Sequence, residues 1–252
     1  MADPRSHLLF TLAGPMAAFG DVTVGQLRST WDRPSKSAVL GLVAAALGIP
    51  RAQSADHARL HATLGFAVRV DRLGEAPHDR PAIVLRDYHT AQAPSSGRDR
   101  RWATRRDELA EPDRLNTVLS DRWYWAGFAA TVALWARSSD APPLADIAAA
   151  LDRPAYALYL GRKSCPLSQP PAPRLIDAPS LPAAFAAYDE ALKDGARARI
   201  TAGPVLWADD DHESGAPDQC EVRRDTVVRR EAWVFEDRVQ HRLLMPSPEA
   251  SA

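Results

Sequence analysis

The order of apolar and polar segments predicts an α+β fold on the ferredoxin-like βαββαβ plan, with one long insertion and additional C-terminal strands. Three observations carry the prediction. The first 90 residues read strand, helix, helix, strand, strand; residues 128–160 read strand, helix, strand; and a polar stretch at about 90–116 separates the two halves. At 252 residues the chain is long enough for one large domain carrying such an insertion.

Residues 8–12 form a β-prone run, closed by a break at Gly14 and Pro15, and residues 20–34 are polar and irregular. The alanine- and leucine-rich stretch over 35–50 reads as a helix that Ser35 or Ser37 can cap and that Gly48 and Pro50 stop. Apolar on every side, it is expected to be buried, with Gly41 marking a close helix–strand contact. A weaker helix over 54–64 precedes alternating strands at 66–70 and 81–88. Beyond the insertion come a strand at 128–135, a helix at 144–151 and a closing strand at 156–160, where Tyr156, Leu158 and Leu160 alternate with Ala157 and Tyr159. Prolines between 166 and 182 predict an extended connector, followed by a helix over 181–192. Residues 221–230 and 233–245 read as paired strands flanked by Arg223, Arg224, Arg229 and Arg230, and 246–252 as a frayed tail.

Charge is nearly balanced, with 31 Lys and Arg against 32 Asp and Glu, so any nucleic-acid site must come from local clustering. Cys165 and Cys220 are too few for a disulfide framework and lack zinc spacing, which points to a reduced, cytoplasmic protein. The N-terminus has no signal core, and the longest apolar run, 38–49, is too short to span a bilayer. Residues 25–37 lack the spacing of a nucleotide-binding P-loop. The acidic stretch 207–213 reads as a loop, so no metal and no cofactor are expected.

Local clustering is present at three places. The predicted helix start gathers Arg33, Ser35, Lys36 and Ser37 around unpaired backbone N–H groups and a positive dipole end, a ready anion site. Gly161 frees the backbone to turn and presents Arg162 and Lys163 beside Ser164, which suits a phosphate. The insertion projects as a hairpin carrying Arg98, Arg100, Arg101, Trp102, Arg105 and Arg106 near its tip. Each also has a plainer reading: a capped helix, a solvated turn, a charge run. Tyr88, Tyr156, Tyr159 and Trp102 are candidate stacking platforms, although a single tyrosine is more often core.

The blocks Leu12-Ala-Gly-Pro-Met16, Arg33-Pro-Ser-Lys-Ser-Ala-Val-Leu-Gly-Leu42, Leu47-Gly-Ile49, Leu85-Arg-Asp-Tyr-His-Thr90 and Tyr159-Leu-Gly-Arg-Lys-Ser-Cys-Pro-Leu167 resemble, in the same order, the CasD family of subunits of the type I-E CRISPR Cascade complex. The likeness covers most of the chain; in the last third it is looser, through the region of Arg224 and Asp225. It implies a modified ferredoxin-like, RRM-like palm over residues 1–252, a thumb insertion at about 90–116 and a C-terminal extension at about 168–252. It also implies a non-catalytic, RNA-binding role in antiviral defence: binding and capping the 5′ handle of the CRISPR RNA (crRNA). Arg33, Ser35, Lys36 and Ser37 would line the handle's phosphates from one side and Arg162, Lys163 and Ser164 from another, joined by Arg86, Tyr88 and His89. The thumb would pack against the neighbouring backbone subunit and disturb guide–target pairing beside it; the partners would include the backbone and large subunits of Cascade, and target DNA would be reached only through the complex. A crRNA-processing endoribonuclease and a purely structural assembly subunit are the alternatives: related subunits of another CRISPR subtype cut precursor RNA without metal, and Arg86, Tyr88 and His89, with Lys36 nearby in the family fold, supply the side-chain types of such 2′-hydroxyl chemistry.

Overall fold

The computed structural model describes residues 4–20, 25–73, 84–95, 101–209, 217–229, 232 and 234–245. In chain order these form β1 (Arg5–Ala17), β2 (Leu27–Arg28), α1 (Lys36–Ala46), α2 (Ser54–Thr63), β3 (Leu64–Leu73), β4 (Val84–Pro94), α3 (Arg105–Glu108), β5 (Leu115–Ala136), α4 (Leu144–Asp152), β6 (Arg174–Ala178), α5 (Leu181–Leu192), β7 (Ile200–Thr201), β8 (Val205–Ala208), β9 (Gln219–Arg229) and β10 (Val234–Leu244). The strands make a single large sheet in the order β6-β1-β5-β3-β8-β10-β9, with β2 and β4 attached to β5 and β7 to β3. Among the described residues only the short β2–β5 pairing is parallel.

Residues 7–14 of β1 are all buried, because the centre of the sheet is covered on both faces. Leu8, Phe10 and Leu12 point to one side, where Val39, Leu40 and Val43 of α1 and Ile147 and Leu151 of α4 complete a core. Leu9 belongs to the other, where Leu181, Ala184, Phe185 and Tyr188 of α5 pack on Ala67, Ala133 and Trp135. The α5 side also holds a buried ionic network that no local pattern announces. Arg69 donates to Asp71 and Asp189 at 2.7 Å, and Arg197 donates to Asp71 at 3.0 Å and to Thr131 at 2.6 Å. Burial alone would raise the Asp71 carboxyl, but the two guanidiniums overcome it and hold it below the usual carboxylate range.

Several expectations need correction. Residues 156–160 do not form the closing strand; they form a loop with one isolated bridge, Tyr159 to Pro166. The reason lies in α1, whose last carbonyls lack intrahelical donors: Ala155 N–H donates to the Ala46 carbonyl at 3.0 Å and Tyr156 N–H to the Ala45 carbonyl at 3.2 Å. The strand beside β1 is β6, inside the proline-rich stretch read as a connector. β1 runs through the expected break without a shift of register, Gly14 facing Phe128 and Met16 facing Ala126. Pairing of β4 with β5 continues to Pro94 and Leu115, well into the expected insertion. Residues 81–83, Arg98, Arg100, Arg230, Trp233, residues 210–213 and the tail 246–252 lie outside the described residues.

Candidate nucleic-acid interface

Ser35 caps α1 as its type predicts, its hydroxyl accepting from the Ala38 N–H at 3.1 Å. The cations around it behave otherwise. Lys36 and Arg33 are each only 3% exposed. Lys36 Nζ donates to Asp209 at 2.7 Å, while Arg33 pairs with Asp32 at 2.8 Å and with Glu221, and stacks over Trp207 at 3.9 Å. Burial pushes the Lys36 ammonium below its usual range, and Asp209 opposes that push. The helix dipole is also answered within the chain, since the Lys36 N–H donates to the Asp225 carboxylate at 2.9 Å. Asp225 would be raised by burial, but Arg238, donating at 2.8 Å, leaves it below the carboxylate range. The expected anion site at this helix start is therefore occupied by the chain's own C-terminal strands. Arg33 and Lys36 brace the site instead of lining it.

What remains open lies beside them. Arg28, Ser35, Ser37, Gly41, Arg162 and Phe235 are among the residues lining a cleft of about 600 Å³ between α1, the end of β1 and the 157–162 loop. The Ser35 and Ser37 hydroxyls, 3.0 Å apart, are half-buried at its edge. A second cavity of about 720 Å³, with Lys163, Tyr156 and Tyr159 among its lining, shares Gly41, Ala45, Ala157 and Tyr159 with the first. The two make one groove along α1.

The loop bearing Arg162 and Lys163 is stiff for visible reasons. Its backbone closes on itself through Leu160 N–H to Cys165 O at 2.7 Å and Cys165 N–H to Arg162 O at 2.9 Å, and Ala18 N–H ties it to β1 at 3.0 Å. Gly161 has φ +83° and lies so close to Ala18 that an added Cβ would run into its carbonyl. Arg162 reaches back over the Tyr124 ring at 4.7 Å and donates to the carbonyls of Arg28 at 3.2 Å and Trp123 at 3.4 Å. Lys163 and Ser164 are exposed. Gly161→Ala is expected to cost about 1–3 kcal/mol in backbone strain alone. A thermal melt shows this as a lowered midpoint; an unchanged midpoint would mean the turn is not under this constraint.

The three candidate tyrosines are not core residues: Tyr88 is 61% exposed, Tyr156 51% and Tyr159 38%. Tyr88 stands on the β4–β5 hairpin with Arg86, which donates to Asp121 at 2.8 Å, and His89, whose Nδ1 lies 2.8 Å from Asp87. Arg86 is thereby raised above, and Asp121 lowered below, the usual range of its type. With His89 paired to Asp87 and Lys36 to Asp209, the residue types of 2′-hydroxyl chemistry are present but engaged with carboxylates. At the hairpin's end, Thr104 forms a capping box with Asp107, and Arg105 folds back onto Glu108 and the Gln92 carbonyl. Arg101 and Arg106 are exposed, and Trp102 is half-buried.

Sequence reasoning missed Arg28, which sits on the two-residue β2 in a stretch without periodicity, and the whole contribution of β8–β10 to this region. Among the described residues no group of three or more His, Cys, Asp or Glu side chains could hold a metal ion, and no helix is long and apolar enough to cross a membrane.

Residues 7–236 match the family described as "CRISPR-associated protein (Cas_Cas5)". The chain is 36% identical over 168 residues to the CRISPR system Cascade subunit CasD of Escherichia coli strain K12, a match spanning 66% of this chain and 69% of that one. Among solved structures it is similar to a chain of a CRISPR RNA-guided surveillance complex, with TM-score 0.62 and 25% identity over 95% of this chain and 90% of that one. A crystal structure of a Cas protein shares the fold at TM-score 0.57 and 23% identity, covering 95% of both chains. With the fold and most of its length matched, this chain belongs to the CRISPR-associated Cas5 family.

Proposed function

We propose that the chain is a non-catalytic subunit of a type I-E CRISPR Cascade surveillance complex, and that it binds and caps the 5′ handle of crRNA. The observation that carries this reading is the groove along α1, which combines the Ser35 and Ser37 hydroxyls, Arg28, Arg162 and Lys163 with the exposed Tyr156 and Tyr159. Cations for phosphates and aromatic faces for splayed bases are what single-stranded RNA requires. On this reading the β6-β1-β5-β3 part of the sheet is a ferredoxin-like palm, β4 with the first half of β5 is its thumb, and β8–β10 extend the same domain. The palm does not use the centre of its sheet for RNA, because α5 covers that face. The thumb, with Arg86, Tyr88, His89 and the tip arginines, then faces protein subunits and the adjoining guide, and target DNA is met only through the assembled complex. Function in the cytoplasm follows from the same reading.

Ultraviolet crosslinking of handle-bearing RNA to the purified chain tests it. Crosslinks are expected on peptides spanning residues 28–37 and 156–164; crosslinks confined to α5 would sink the reading. The same reactions, run with chelator, are expected to leave the RNA intact. Specific cleavage that disappears in His89→Ala would make the protein an endoribonuclease instead.

A further inference from the structure

We propose that the groove along α1 receives one unstacked base of a single-stranded RNA, laid between Gly41 of the helix and the Tyr159 ring, with its flanking phosphates at the two ends. This deepens the RNA-binding reading above and rests on it. The two cavities of about 600 and 720 Å³ meet at Gly41, Ala45, Ala157 and Tyr159, an uncharged midsection. One end carries Arg162, Arg28 and the Ser35 and Ser37 hydroxyls, and the other carries Lys163. The lining thus passes from cationic to apolar and aromatic to cationic, which suits a nucleotide whose ribose joins two phosphates while its base turns aside onto the uncharged midsection. Each cavity lies in the range of roughly 300–1,000 Å³ typical of sites for small organic groups.

Gly41 singles out the midsection. A glycine inside a helix weakens it relative to alanine, so its presence calls for a reason. The close helix–strand contact expected from the sequence is not that reason, because an added Cβ would meet no atom within 4 Å. Backbone conformation is not the reason either, since Gly41 is not among the described glycines with positive φ. What the glycine does is leave the floor of the groove bare opposite a tyrosine ring that is 38% exposed. Any large side chain there would fill the passage. An extended peptide would bring unpaired backbone N–H groups and carbonyls to this apolar midsection, whereas a base brings a flat face that stacks.

The test measures binding of handle RNA to the full-length chain by fluorescence anisotropy, using intact RNA and a set in which each handle nucleotide in turn is abasic. One abasic position is expected to weaken wild-type binding by about ten- to a hundredfold, the scale of a lost base–aromatic stack. Gly41→Leu should lower affinity for intact RNA by a similar factor and should lose nothing further at that abasic position. Tyr159→Ala, a change outside any helix, should behave in the same way and serves if Gly41→Leu does not fold. The proposal is overturned if no abasic position costs more than twofold, or if both variants bind as wild type while Arg162→Glu with Lys163→Glu still abolishes binding. Wild-type binding that none of these changes weakens, the double charge reversal included, sinks the RNA reading itself.

Discussion

Arg162→Glu combined with Lys163→Glu is expected to lower affinity for handle RNA by a hundredfold or more at low salt. It should also make the salt dependence shallower by roughly 1.4, two contacts at about 0.7 each for single-stranded RNA. Reversal adds repulsion to lost attraction, and the stiffness of the loop leaves the new carboxylates little freedom to turn away. Arg162 has a second duty, since it donates to the backbone of Arg28 and Trp123. Lys163→Glu alone is therefore the cleaner arm: an exposed side chain, an unchanged melting temperature and a slope change of about half the size. Filter binding from 50 to 300 mM salt reads all of this. Equal slopes for wild type and variants would remove these two residues from the phosphate contacts. Lys36→Glu would not serve as a comparable probe, because it sets a carboxylate against buried Asp209 and acts on folding first.

Asp71→Ala is expected to be the most damaging single change away from the groove, costing about 3–5 kcal/mol, a large share of the ~5–15 kcal/mol that holds a typical domain together. Among the described residues it would leave the buried Arg69 and Arg197 only Asp189 as a carboxylate partner, and would strip acceptors from Thr131 and the Gly203 N–H. Chemical denaturation at neutral pH measures it, and a loss below 1 kcal/mol would show that the network is not needed for the fold. The acid limb has a definite sign. Asp71 and Asp225 are both held below the usual carboxylate range in the folded chain. Their contribution is complete above the unfolded value of about 3.9 and is lost as pH falls through the depressed folded values. Stability should therefore hold down to about pH 4 and then fall, with a flatter acid limb in Asp71→Asn.

Local signals in the sequence were legible where local physics decides. The Ser35 cap, the Gly161 turn, the helices at 54–63 and 181–192 and the paired C-terminal strands all follow from short-range spacing. Arg33 and Lys36 were misplaced because their partners are remote. Asp209 is 173 positions from Lys36, Glu221 is 188 from Arg33, and nothing near the helix start announces them. The alternation at 156–160 was real, but an extended loop laid along a helix end produces the same period as a strand, and the prolines around 171–173 concealed β6. Gly41 was assigned the commonest role of a helical glycine, close packing. Only the empty space around it shows otherwise.

The carboxylates that neutralise the start of α1 have a consequence for the order in which the protein is made. Lys36 and Arg33 leave the ribosome long before Asp209, Glu221 and Asp225 have been synthesised, so this end of the groove is fixed last. A nascent chain cannot complete this end of the groove until β8, β9 and β10 have emerged, so the proposed RNA site would form only after them. A chain ending at Ala208 should accordingly leave α1's first turn open to protease, whereas the full chain should protect it.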